Sequence, residues 1–207
     1  MSIFDKIAAT VMPPESDEQR TEARRKADAM VQGGDDWLGQ ALDHHRRIEG
    51  LFRQARSARD GSSRKAACKL LGTILTAHAN AEESVLYPML AEDHKGHAAM
   101  AYQEQAMVKI EMHKLEMLEP MSQEWLDKID HIQGAVTHHM YEEESGWFGE
   151  VREAMRSYDE TMHSSRFREE FEKNAGSSSS GSSSQPLQMA AQMDEDIKQP
   201  GKLADTA

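Results

Sequence analysis

The sequence predicts an all-α fold: an antiparallel up-down four-helix bundle with an N-terminal arm and a disordered C-terminal tail. Three observations predict it. Apolar residues recur at helical spacing through four long stretches, each bounded by capping or helix-breaking residues. Strand signals are weak, with no alternating run, no Asn-Gly turn and few β-branched residues. The connections between the stretches are short, which favours antiparallel neighbours.

Residues 1–34 read as an arm. Pro13 and Pro14 interrupt a short amphipathic start (Ile3, Phe4, Ile7), and the charged stretch from Glu15 to Met30 is helix-compatible but has almost no apolar face. The bundle is expected over residues 35–160. Its first helix runs from about Asp36, capped by Asp35 or Asp36, to Arg59, near Gly61. Ser62 or Ser63 caps the second, which reaches about Leu90. The third spans roughly His94 to Leu118 and ends at Glu119-Pro120; Ser122 and Trp125 open the fourth, which runs to about Ser157. Residues 161–175 are expected as a helical extension. Gly176 to Ser184 consists of Gly and Ser alone, a flexible linker, and the polar segment 185–207 follows, so 176–207 is expected to be disordered.

Charge and composition narrow the function. The chain has 24 Lys+Arg against 36 Asp+Glu, a formal charge of −12, which argues against nucleic acid, whose phosphates demand a basic surface. No apolar run is long enough for a transmembrane helix, and Met1 to Met12 lacks the pattern of a secretory signal, so a cytoplasmic protein with no membrane partner is expected. The single Cys68 excludes an intramolecular disulfide and any multi-thiolate zinc site; it reads as a packed small residue at the start of helix two. All 10 His lie between His44 and His163.

The buried stripes contain polar residues. Helix one presents Leu38, Ala41, His45, Ile48 and Phe52; helix two Leu71, Ile74, His78, Glu82, Val85 and Met89; helix four Trp125, Ile129, Ile132, Val136, His139, Glu143 and Trp147. Residues four apart lie one turn apart on the same helix face, so each His-x-x-x-Glu pair can converge on one point. A buried, unpaired carboxylate costs several kcal/mol or gives up its charge. Two carboxylates and three imidazoles aimed inward therefore need a common partner, and a metal ion satisfies them all. The pattern occurs twice: His78-Ala-Asn-Ala-Glu82-Glu83-Ser84-Val-Leu86-Tyr87 matches His139-Met-Tyr-Glu-Glu143-Glu144-Ser145-Gly-Trp147-Phe148, 61 positions apart. The register selects His139 over His138, which falls with His131, Gly134 and Glu142, and the stripe selects His45 over His44.

With Asp43-His44-His45-Arg46-Arg47-Ile48-Glu49-Gly50-Leu51-Phe52, these segments resemble the hemerythrin HHE cation-binding family of bacterial hemerythrin-like proteins, over about residues 36–157. The resemblance implies an antiparallel four-helix bundle around a non-haem di-iron centre. It implies His45 and His78 on one iron, His139 on the other, and Glu82 and Glu143 bridging. The third helix departs from the family: its stripe is Ala98, Ala101, Gln105, Val108, Met112 and Leu115, with Gln105 where the family has His. Gln105 as a weak ligand or a water-holding residue, Tyr102 as a phenolate donor, and a single-metal site are all open, with His44 the alternative to His45. Glu104, His97 and His113 are less well placed.

The resemblance implies an iron protein that binds or senses O2, peroxide or nitric oxide; a His/carboxylate set also suits zinc or manganese. Two other readings are an enzyme decomposing peroxide and a metal-stabilised scaffold docking a protein partner through 176–207. A ferritin-like oxidase would need Glu-x-x-His on two helices, and the chain has only Glu160–His163; the protease motif His-Glu-x-x-His is absent.

Overall fold

The computed structural model describes residues 15–176, so the expectations for 1–14 and for the tail beyond 176 lie outside the described residues. Among the described residues every regular element is helical.

Helix α1 (Asp17–Ala29) opens with a capping box, in which Ser16 Oγ accepts from Gln19 N at 3.3 Å and Gln19 Oε1 accepts from Ser16 N at 2.8 Å. It packs against α2 and against the segment that carries Glu143 and Glu144. Its buried residues are Ala23 and Ala27, so the apolar face that the sequence lacked is a strip of alanines that permits close approach. The arm is thus part of the packed structure from Asp17 onward. Gly33, at φ +133°, turns the chain into α2 in a conformation that side chains rarely adopt.

Helix α2 (Trp37–Ser57) is capped by Asp36, whose carboxylate also accepts from Gln32 N at 2.7 Å and from Arg152 at 2.6 Å. Helix α3 (Gly61–Asp93) starts earlier than expected because Asp60, not Ser62 or Ser63, is the cap, accepting from Ser63 N at 2.8 Å. Pro88 lies inside α3 on an exposed face. There water can satisfy the carbonyl whose helical partner proline removes. Helix α4 (Lys95–Glu116) follows after one residue, and Ser122 caps α5 (Gln123–Glu142).

The fourth helical stretch is not continuous α-helix. A π-helical segment, Glu143–Trp147, interrupts it before α6 (Phe148–Ala154) and a 3₁₀ turn (Met155–Ser157). Helix α7 (Glu160–Ala175) is the extension; it packs along α3 and α2 and buries Phe167 and Phe171.

Helices α2, α3, α4 and α5 pack each against the next, and α2 closes on α5. The predicted stripes of α2 and of the fourth stretch are buried throughout; in α3 Met89, and in α4 Val108, are only half-buried. Buried Arg64 ties one end together: it donates to Pro120 O at 2.8 Å and Ala58 O at 2.9 Å and lies over the Trp125 ring at 5.0 Å. No described helix is long and apolar enough to cross a membrane.

Candidate metal centre

Four inward-facing side chains meet in the core. His45 comes from α2, His78 and Glu82 from one face of α3, and Glu143 from the first residue of the π segment. One donor atom of each lies within 4.8 Å of all the others. Glu82 and Glu143 are 0% exposed, His45 is 0% and His78 is 4%. His45 Nε2 is 3.2 Å from Glu143 Oε2, and His78 Nε2 is 3.3 Å from Glu82 Oε2. These are close approaches without hydrogen-bond geometry, for His45 Nε2, His78 Nε2, Glu82 Oε1 and Glu143 Oε2 are buried with no hydrogen-bond partner. Each such orphan costs about 1–3 kcal/mol. One cation satisfies all four, and a nitrogen–oxygen set suits a divalent transition metal. The residues fit a metal ion.

A second donor group shares the carboxylates. His139 Nε2 is 3.3 Å from Glu143 Oε1, and the Tyr87 hydroxyl lies 3.1 Å from His139 Nε2, 2.9 Å from Glu143 Oε1 and 3.1 Å from Glu82 Oε2. Gln105 Nε2 donates to Glu82 Oε2 and to the Tyr87 oxygen, both at 2.6 Å. The two groups therefore differ in degree: hydrogen bonds join most donors of the second, although Gln105 Oε1 has no partner, whereas the four facing atoms of the first have none.

Two carboxylates aim the imidazoles from behind. His45 Nδ1 is 2.6 Å from Glu144, and His139 Nδ1 is 2.8 Å from Glu104. A proton held on Nδ1 leaves Nε2 as the inward lone pair. Arg24 of α1 donates to Glu144 at 2.7 Å and to Glu49 at 2.8 Å, so the arm anchors the carboxylate that orients His45.

Electrostatics follow from burial and neighbours. Burial disfavours charge on His45, but the close Glu143 carboxylate and the hydrogen bond to Glu144 carry its pKa up to about 9. Burial, then the adjacent His45, holds His78 well below the usual imidazole value. Burial and Glu143 push Glu82 well above the carboxylate range, while Glu143, despite burial, is drawn well below it by His139 and His45. Burial, then Glu143 and Glu82, raises Tyr87 far above an ordinary phenol.

The structure brings His45, His78, Glu82, His139, Glu143 and Gln105 together and leaves out two candidates. Tyr102 is 38% exposed, and its hydroxyl donates to Glu83 O at 2.9 Å, outside the donor set. His44 stacks on Phe171 with ring centroids 3.6 Å apart, and burial first, then His45 and Arg47, lowers its pKa to about 3. Of the residues set aside, Glu104 orients His139, whereas His113 is exposed and His97 pairs with Glu150. Sequence reasoning missed Tyr87, Glu144 and Arg24. Tyr87 and Glu144 stand inside the repeated segment and were legible as its members; Arg24 carried no local signal. Cys68 is buried, with its thiol pushed up to about 11 by burial and Glu116.

Residues 40–151 match the family described as Hemerythrin HHE cation binding domain. The chain is 28% identical over 114 residues to a DNA nickase of Nostoc sp. (strain PCC 7120 / SAG 25.82 / UTEX 2576), an alignment covering 55% of this chain and 32% of that protein. The chain thus spans about a third of that relative's length. No solved structure matches.

Proposed function

Because the chain belongs to the hemerythrin HHE cation-binding family, we propose that it holds non-haem iron in the bundle core and binds or senses a small oxidant there: O2, peroxide or nitric oxide. The observation that carries this reading is the set of four orphaned, inward-facing donors from His45, His78, Glu82 and Glu143. In this reading they hold one ion firmly. His139, with Glu82 and Glu143 as shared carboxylates, forms the second position, and Tyr87 and Gln105 stand there in place of the missing His. Tyr102 and His44 are not ligands. Helices α2 to α5 run antiparallel, as the closed ring of packing and the one-residue link at 94 support.

Iron in such a site supplies an open coordination position and a change of oxidation state. The protein's own residues do the rest. Glu144 and Glu104 hold the imidazoles with Nε2 inward, and the core side chains exclude bulk water. A cavity of about 460 Å³ is lined by His78, Gln105 and His139 at the centre and by Ile48, Val108 and Met112 along its walls. It admits a small apolar molecule to the side of the centre where the His is missing. Protons compete for the same nitrogens and oxygens, so acidification weakens the hold on the ion.

Peroxide decomposition is the second reading, and the Tyr87 hydroxyl favours it, since that phenol sits within hydrogen-bond reach of both carboxylates as a proton donor. DNA nicking, named for the Nostoc protein, is not carried over: the formal charge is −12 and most of that protein lies outside the alignment. A protein partner docking through 176–207 is compatible with the iron reading, and the protein is expected in the cytoplasm.

Elemental analysis of the purified protein, with absorption spectra before and after hydrogen peroxide, tests the reading. Iron is expected to predominate over zinc and manganese, with a spectrum that changes on oxidation, and His78→Ala is expected to lose most of the metal. Unchanged metal content in His78→Ala overturns the assignment. Steady oxygen release with excess peroxide, abolished in Tyr87→Phe, favours the enzyme over the sensor.

A further inference from the structure

His94, His97 and Glu150 form a second cluster, outside the buried centre. His94 is the single residue joining α3 to α4, and His97 follows one turn later on α4. Their rings lie parallel, 6° apart in plane and 5.6 Å between centroids. Glu150, from α6, presents one oxygen to each: His97 Nδ1 is 2.7 Å from Oε2, and His94 Nδ1 is 3.6 Å from Oε1. One donor atom of each of the three residues lies within 4.8 Å of the others. No Lys or Arg pairs with Glu150 among the described residues; its partners are the two imidazoles.

The geometry points to a divalent transition-metal site at this place, built from two imidazoles and one carboxylate, with its remaining positions open to water. Donors about 2.1 Å from a tetrahedral zinc ion stand about 3.4 Å apart, within the spread of separations seen here. Two imidazoles select zinc, nickel, cobalt or copper over magnesium or calcium, which prefer all-oxygen cages. The His side chains are 41% and 43% exposed and Glu150 is 24% exposed, so the open positions face solvent, unlike those of the core. The C-terminal end of α3 and the N-terminal end of α4 meet at His94, and their opposite end charges leave the choice of ion to the side chains. Trp147 forms the wall between the two sites, with His97 stacked on it at 5.9 Å and His139 edge-on at 5.8 Å. A bound ion would fasten the α3–α4 junction to α6.

The test uses the full chain with its core centre loaded with iron. Zinc is titrated by calorimetry into the parent, His94→Ala/His97→Ala and Glu150→Gln, and iron is measured before and after. The parent is expected to bind one zinc equivalent without losing iron. Both variants are expected to bind it at least tenfold more weakly while keeping the parent's iron content and melting temperature. Equal zinc stoichiometry and affinity in parent and double variant overturns the site, as does zinc that enters only as iron leaves.

Discussion

His44 and His45 are neighbours on α2 with opposite chemistry. His45 faces Glu143 and Glu144, which hold it with a raised pKa; His44 lies between Phe171 and the His78 ring, and burial keeps it neutral. Which of the two turns inward was legible, because Leu38, Ala41, Ile48 and Phe52 define the buried stripe and His45 continues it. What holds an inward imidazole was not legible, because Glu104 reaches His139 from another helix, 35 residues away. Loss of a carboxylate behind a ligating imidazole costs about 10–100-fold in metal affinity. Glu104→Gln is therefore expected to weaken iron binding by about tenfold or more, measured by chelator competition, with an unchanged far-ultraviolet circular dichroism spectrum. Undiminished affinity would mean that Glu104 has no part in presenting His139.

At the scale of elements, two segments that share His, Glu, Glu and Ser in register behave differently. Glu83 and Glu144 hold the same place in the repeat, yet Glu83 is half-buried and pairs with Lys109 at 2.8 Å, while Glu144 is buried behind His45. Glu144 lies in the π segment, against which α1 packs and to which Arg24 donates, and π segments concentrate at functional sites. Elsewhere α4 and α5 are joined by Glu111, which accepts from Lys114 at 2.7 Å and from Lys128 at 2.9 Å. Burial opposes ionisation of Glu111, but the two lysines hold its carboxyl below the usual range. Its folded pKa is depressed, so its contribution is present above the unfolded value and disappears as pH falls through the folded one. Glu111→Gln is expected to cost about 1 kcal/mol at pH 7. The deficit is expected to shrink on acidification, in melting temperatures of parent and variant compared between neutral and strongly acidic pH. A deficit that stays constant across that range would show packing, not charge, to be the cause.

For the whole molecule, the question is which parts the core requires. Helix α7 covers α3 and α2 with Phe167 and Phe171, and Ser164 accepts from Trp37 N at 3.0 Å. Burying a large apolar side chain stabilises by about 1.5–3 kcal/mol. A chain ending at Tyr158 is expected to melt many degrees lower than the parent and to lose iron more readily. A chain ending at Ala175 is expected to keep the parent's melting temperature and iron content. Equal stability of the shorter chain would place α7 outside the cooperative unit.

The sequence by itself determined the all-helical class, the buried faces and the inward His and Glu residues. All of these follow from the local 3.6-residue period and from the cost of burying charge, which each helix expresses without knowledge of its neighbours. The boundaries of α3 and the break in the fourth helical stretch escaped it, because Asp60 competed with two adjacent serines as a cap and no residue type marks a π turn. Only the tertiary structure decided that Tyr87, not Tyr102, enters the donor set, that α1 supplies Arg24, and that His94 and His97 share Glu150. Those pairings depend on which helices lie side by side and at what rotation, and such relations between distant segments leave no periodic trace in any one of them.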